Sequence, residues 1–379
     1  MNVFWCKSCL NMSTRPRIEF SADGVCNACQ WATQKRDMDW STRKVELASL
    51  LTWAKEKSHS YDCVVPVSGG KDGSYVAHQL KHKYNMNPLC VTVRPPLSLK
   101  VGESNLNNFI DSGYTHVQLS PASDIMQRLN QVGFIEGGYP YHGWMMAMKA
   151  AVIRFAFKMK IPLIFYGEDG EIEYGGSTET KNNATYSVEY AKRIYFQGSF
   201  DSILSIVKKE FVNRLADFEM WEFPSDNELK LRDIKIAHWS YFEPWDPYRN
   251  YIVAKDRCGL AENDTTNEGT FTNFAQNDQA LAALHYYLMY LKYGFGRATQ
   301  DAGIEIRRGA MTREQAINLV ELFDGQYPTE HIESYLNYFG LSKEEFDTVI
   351  STFANRELFI KNNEGSWQPK FRIGETFDI

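Results

Sequence analysis

The chain has 379 residues, 41 Lys and Arg against 47 Asp and Glu, and 44% hydrophobic residues. That composition supports a substantial core and excludes disorder as the main state, while the net charge of −6 gives no general drive toward nucleic acid or anionic lipid. The longest apolar runs, such as Ala280 to Leu291, fall short of the roughly 20 residues that cross a bilayer, and no cleavable signal opens the chain. A cytoplasmic protein with no membrane span is expected, built as one large domain with additions or as two domains.

Four of the seven cysteines, Cys6, Cys9, Cys26 and Cys29, form two C-x2-C knuckles near the start of the chain. The spacing is that of a zinc ribbon over residues 1–35, in which four thiolates close a tetrahedral Zn2+ site with no open position, so the metal is structural. Disulfides or an iron–sulfur cluster are the alternatives, and a cytosolic setting disfavours the first. Cys63, Cys90 and Cys258 are isolated and read as small core residues. Residues 36–60 follow as a linking helix, with Leu47, Leu50, Leu51 and Ala54 at helical spacing.

A β-branched run from Asp62 to Val67 leads directly into Ser68-Gly69-Gly70-Lys71-Asp72-Gly73-Ser74 and then a helical stretch to about Tyr84. Strand, glycine-rich loop and helix make a phosphate cradle, because the glycines admit close backbone approach and the first helical N–H groups point at an anion. It is not a Walker A loop, since Asp72 stands where Ser or Thr is required. The alternative is a Gly-Gly turn that only caps a helix. The loop resembles the PP-loop of the ATP pyrophosphatase superfamily, close to Ser-Gly-Gly-x-Asp-Ser, with Gly73 in place of the second Ser and Ser74 one position later. That resemblance implies ATP bound with Mg2+, attack at the α-phosphorus and release of pyrophosphate.

Further strands are expected at Pro88–Val93, Thr115–Leu119 and Ile161–Tyr166, alternating with helices at 103–112 and 143–160. The fold class is therefore α/β, a parallel sheet with helices on both faces, over residues 61–260. Arg94 ends the second strand on the edge where ligands bind, as a nucleotide contact or a plain surface arginine. After the fourth strand, Gly167-Glu168-Asp169-Gly170-Glu171-Ile172-Glu173 gathers four carboxylates, able to hold Mg2+, hydrogen-bond a sugar or orient an amine. Glu168 and Glu173 are the preferred catalytic candidates, a solvated acidic loop being the alternative.

Residues 218–275 are aromatic and proline-bearing and read as loops and short elements. Residues 261–379 are expected to be mainly helical and to complete the substrate site, with helices near 277–293, 312–323, 328–338 and 342–354. Thr312 with Gln315 and Ser342 with Glu345 form capping boxes. Lys292, Arg297 and Arg307 fall in a charged, glycine-bearing connector, where they neutralise phosphate or a sugar carboxylate or form structural ion pairs.

Taken together, the four-cysteine ribbon, the Ser68–Gly73 loop, the Gly167–Gly176 segment and the distal run from His285-Tyr286-Tyr287 through Gly296-Arg297-Ala298-Thr299 to Ile306-Arg307 and Met311-Thr312-Arg313-Glu314 resemble the N-acetyl sugar amidotransferase family of the WbpG and PseA type. The resemblance implies conversion of a sugar acetamido group to acetamidino in bacterial lipopolysaccharide O-antigen or flagellin glycan synthesis. The sugar substrate is nucleotide-linked, lipid-linked or free and sialic-acid-like. Lys71, Asp72, Glu168 and Glu173 are the implied catalytic set. Ser68, Gly69, Gly70, Gly73, Ser74, Arg94, Gly167, Arg297 and Arg307 join Lys71 and Asp72 in binding nucleotide. No remaining cysteine sits in a glutaminase setting, so ammonia is expected from a partner glutaminase and cyclase-like pair similar to the histidine-pathway proteins. A tRNA-modifying PP-loop enzyme is the rival, disfavoured by the absence of a basic domain or stripe. A zinc-ribbon interaction protein with a degenerate nucleotide fold is a third reading.

Overall fold

The computed structural model describes residues 2–378. Strands at Cys63–Pro66 (β1), Pro88–Val93 (β2), His116–Leu119 (β3), Leu163–Tyr166 (β4) and Lys235–His238 (β5) form one sheet in the order β3-β2-β1-β4-β5. Every pairing is parallel, with Val64 opposite both Leu89 and Ile164, Cys90 opposite His116, and Leu163 opposite Lys235. Parallel sheets are covered on both faces, and for that reason β1 (CVVP) and β4 (LIFY) lack polar alternation.

Six helices position the site: Lys71–His78 (α1), Lys100–Asp111 (α2), His142–Met159 (α3), Gly170–Tyr174 (α4), Pro247–Cys258 (α5) and Arg297–Arg307 (α6). Val64, Leu89 and Ile164 pack into one core with α3 and the C-terminal helices, while Val65, Cys90 and Phe165 pack into the other with α1 and the helix Trp40–Lys57. Successive side chains of one strand point to opposite faces, so each strand feeds both cores. The C-terminal region is helical as expected, and both capping boxes form, at Thr312 with Gln315 and at Ser342 with Glu345. Strand Asn2–Val3 pairs antiparallel with Phe377–Asp378.

Two stretches differ from their sequence reading. Residues 218–275, read as loops and short elements, supply β5 and the twelve-residue helix α5, longer than that reading allowed. The strand escapes notice because four residues show too little period; the helix start is marked, since the Asp246 carboxylate accepts from the N–H groups of Tyr248 and Arg249 and Pro247 follows it. The charged run after Gly296 is likewise helix α6 rather than a connector. No helix among the described residues is long and apolar enough to cross a membrane.

Candidate active site

The chain lays down β1, β2 and β3 to one side and then returns to place β4 on the other side of β1. Open α/β sheets bind ligands in the crevice at the carboxyl ends of the strands at such a reversal. Two loops flank it, the glycine loop after β1 and the acidic loop after β4. They touch: a Cβ on Gly167 would lie 3.3 Å from the Cβ of Asp72.

The glycine loop is shaped by close approaches. Gly69 has φ +78°, and a Cβ there would lie 2.3 Å from the backbone N of Leu106 in α2. A Cβ on Gly73 would lie 2.6 Å from the Pro66 carbonyl oxygen, so a serine there would push α1 off the end of β1. Helix α1 has no side-chain cap, which leaves its first N–H groups free for an anion. Lys71 pairs with Asp72, and Asp72 Oδ1 also accepts from Asn250 Nδ2 of α5 at 3.0 Å. Ser74 is fully buried, and its hydroxyl has no partner and faces none of the cavities.

Three cavities meet at the crevice. One of about 410 Å³ runs along the ends of β1 and β2 and is lined by Ser68, Thr92 and Arg94. A second, of about 360 Å³, holds Ser68, Gly70, Lys71, Asp72, Glu168 and Arg297. The third is the largest, about 970 Å³, and shares Tyr139, Met145, Met148, Glu168 and Tyr174 with the second. Burial, and then the Asp72 carboxylate, push Glu168 above the usual carboxyl range, with Lys71 opposing; Tyr174 donates to it at 3.3 Å. Asp278, also in the second cavity, is pushed up to about 6 by burial.

The sequence candidates thus divide. Ser68, Gly70, Lys71, Asp72, Gly73, Glu168 and Arg297 share the second cavity; Gly167 faces the third, Arg94 is exposed at the first, and Gly69 serves as the turn. Arg297 is buried and paired with Asp301 at 2.8 Å. Glu173 points elsewhere: Trp31 Nε1 donates to it at 3.0 Å and Lys35 Nζ at 2.6 Å. Arg307 approaches the Cys9 sulfur at 3.8 Å and lines none of the three cavities. Sequence reasoning missed Asn250, Tyr174 and Asp278; the Asp-Pro pair marked the start of the helix that carries Asn250 but not its contact with Asp72.

Glu173 faces the cysteine ribbon. The four sulfurs lie within 4.8 Å of one another, with Cys6–Cys29 at 3.9 Å and Cys9–Cys26 at 3.7 Å. A tetrahedron with metal–sulfur bonds of about 2.3 Å has edges of roughly 3.8 Å, so the buried group fits a structural metal such as zinc. Backbone N–H groups of Asn11 and Cys26 donate to its sulfurs at 3.3 and 3.2 Å. The ribbon grips the acidic loop. Asn11 Nδ2 donates to the Tyr174 carbonyl at 3.0 Å, Arg15 Nε to Gly175 at 3.1 Å, and Asn27 Nδ2 to Gly176 at 2.8 Å; Arg17 pairs with Glu171 at 2.7 Å.

Residues 268–372 match the family described as LPS biosynthesis protein WbpG-like, C-terminal domain. The C-terminal region is thus similar to the C-terminal domain of WbpG-like LPS biosynthesis proteins. It contributes Asp278 and Arg297 to the second cavity. Over 89 residues, 23% of the chain, the sequence is 32% identical to an uncharacterized protein of Methanocaldococcus jannaschii. The match spans about a third of that relative's length.

Proposed function

We propose that the chain is an ATP-dependent, pyrophosphate-releasing amidotransferase that converts a sugar acetamido group to acetamidino during surface polysaccharide synthesis. The match to an LPS biosynthesis domain supports the pathway class. The observation that carries the chemistry is the uncapped α1 with Lys71 and Asp72 at the sheet reversal, opening through Glu168 onto a cavity of about 970 Å³. That space suits a sugar with its carrier.

In this reading ATP lies with its base and ribose in the cavity beside Arg94 and its phosphates over Ser68–Gly73. Lys71 and the free N–H groups of α1 stabilise charge on the departing pyrophosphate, as preorganised donors do in such sites. Asp72 and Glu168 would hold Mg2+, which screens the phosphate charge. Arg297 and Asp278 come from the region after residue 260, which closes the second cavity. An amide carbonyl is a poor electrophile with a poor leaving group, and transfer of AMP to its oxygen removes both obstacles. The acetamido oxygen attacks the α-phosphorus, pyrophosphate leaves, ammonia adds to the activated carbon and AMP departs. Ammonia would come from a separate glutaminase and cyclase-like pair.

The test is mass spectrometry on purified protein with ATP, Mg2+, ammonium salt and a panel of N-acetylated sugars, both nucleotide-linked and lipid-linked. A loss of about one mass unit from the sugar, with AMP and pyrophosphate formed in step, is expected from replacement of oxygen by NH. Formation of ADP would refute the bond assignment, and AMP formation stimulated by tRNA rather than sugar would transfer the protein to the tRNA-modifying class.

A further inference from the structure

The largest cavity holds a lysine that the steps above leave without a task. Lys149 sits in the middle of α3, amid an apolar run, and is only 8% exposed. Its ammonium has no hydrogen bond and no ion pair among the described residues. It lies 3.5 Å from the Tyr166 ring centre, with Tyr195 at 4.9 Å and Tyr186 at 5.8 Å. A charged amine buried without hydrogen bonds is unfavourable, and such groups gather where function needs them.

Its position is specific. Lys149 follows Met148, which lines all three cavities, and the carboxylates that act on it are Asp169 and Glu168 at the end of β4. Glu168 borders both the loop's cavity and the large one. Lys149 thus lines the large cavity, which Glu168 joins to the proposed phosphate site.

The proposed chemistry needs a proton acceptor on that side. When ammonia adds to the O-adenylylated acetamido carbon, the new C–N bond leaves a positive charge on the incoming nitrogen. One N–H proton has to depart before that nitrogen's lone pair can close the C=N bond. The C–O bond to AMP then breaks with its electrons going to AMP, and the product leaves as the amidinium. We infer that the neutral amine of Lys149 takes this proton from the adding ammonia and later releases it to solvent. The inference rests on the amidination reading above.

Burial pulls the Lys149 ammonium down to about 8, with Asp169 and then Glu168 opposing, so the neutral form is accessible near neutral pH. The other titratable groups around it fit the task less well. His238 of β5 is held far below its usual value by burial and by Lys149 itself, which makes it too weak a base. Tyr166, Tyr186 and Tyr195 are pushed up by burial. Asp169 accepts from the Thr180 hydroxyl and from the Glu171 N–H in the first turn of α4. Glu168 borders both cavities, accepts from Tyr174 and is already assigned to Mg2+ in this reading.

The experiment compares wild type with Lys149→Met and Lys149→Arg at fixed free ammonia, measuring pyrophosphate and amidine separately across the pH range around Lys149's value. In the wild type, amidine formation should rise with pH as the lysine loses its proton. Both variants should release pyrophosphate within about twofold of wild type but form amidine about a hundredfold more slowly, with the pH rise gone. Released pyrophosphate would then exceed amidine, because the activated acceptor hydrolyses back to acetamide. A wild-type product ratio in Lys149→Met overturns the inference and points to Glu168. Recovery in Lys149→Arg overturns it in favour of fixed charge, and equal loss of both products assigns Lys149 to adenylation or folding instead. A wild type that releases no pyrophosphate with any acetamido sugar sinks the amidination reading itself, and the inference with it.

Discussion

Asp72 is held from two sides, by Lys71 next to it in the chain and by Asn250 across the crevice. The arrangement fixes the carboxylate's direction, which a metal or phosphate site requires. Replacing either Lys71 or Asp72 with Ala should abolish pyrophosphate release while leaving the circular dichroism spectrum unchanged; undiminished turnover would remove the loop from the mechanism. Asn250→Ala is subtler. It withdraws one hydrogen bond to a charged group, worth about 1.5–3 kcal/mol, so pyrophosphate release should fall by roughly tenfold or more with the fold retained. A wild-type rate in that variant would make Asn250 a packing residue only. Asp72 was legible from the motif, whereas Asn250 was not, because its partner lies 178 positions away.

At the scale of elements, the ribbon's role is set by what it touches. Four separate contacts run from residues 11–27 to Glu171–Gly176, the segment that follows Glu168 and presents Tyr174 to the cavity. Gly175 has φ +91°, and a Cβ there would lie 2.9 Å from Asn11 Nδ2, so loop and ribbon meet backbone to side chain. Metal binding and folding are coupled in such small sites. Cys26→Ser should therefore release the metal and raise amide hydrogen exchange in residues 168–176 as well as in the ribbon, read by mass spectrometry. Exchange confined to the ribbon would show that the acidic loop holds itself. Glu173, which by position in the sequence ranks with Glu168, belongs to this buttress through Trp31 and Lys35. The pattern of acidic residues alone cannot separate the two, since Glu168 precedes α4 and faces the crevice while Glu173, on α4, is turned toward the ribbon.

Across the whole molecule, the C-terminal region and the sheet share one core. Phe134 stacks on Phe339 at 4.8 Å, and Tyr335 donates to the Ala280 carbonyl at 2.7 Å. Arg297 links this core to the crevice: it is buried, pairs with Asp301 and lines the second cavity. Arg297→Met leaves Asp301 with Thr270 but without its cation, and breaking a buried pair from one side costs about 3–5 kcal/mol. A clear fall in melting temperature is expected together with weaker ATP binding. Retained stability with lost binding would make the arginine a nucleotide contact alone, and the converse would make it purely structural.

The linear sequence was sufficient for features written in short, contiguous runs. The knuckle spacing, the strand–glycine–helix sequence, the capping boxes at Thr312 and Ser342 and the parallel sheet of β1 to β4 all depend on local backbone preference and on unbroken apolar strands. The tertiary structure alone decided which side chains share a space. It sent Glu173 and Arg307 toward the cysteines, buried the Ser74 hydroxyl, added β5, and brought Asn250, Asp278 and Lys149 to the crevice. The physical reason is that a side chain's direction on a short helix or loop is set by what packs against it. Most of those packing partners are far off in the chain, Trp31 from Glu173 by 142 residues and Asp72 from Asn250 by 178, beyond the reach of any local pattern.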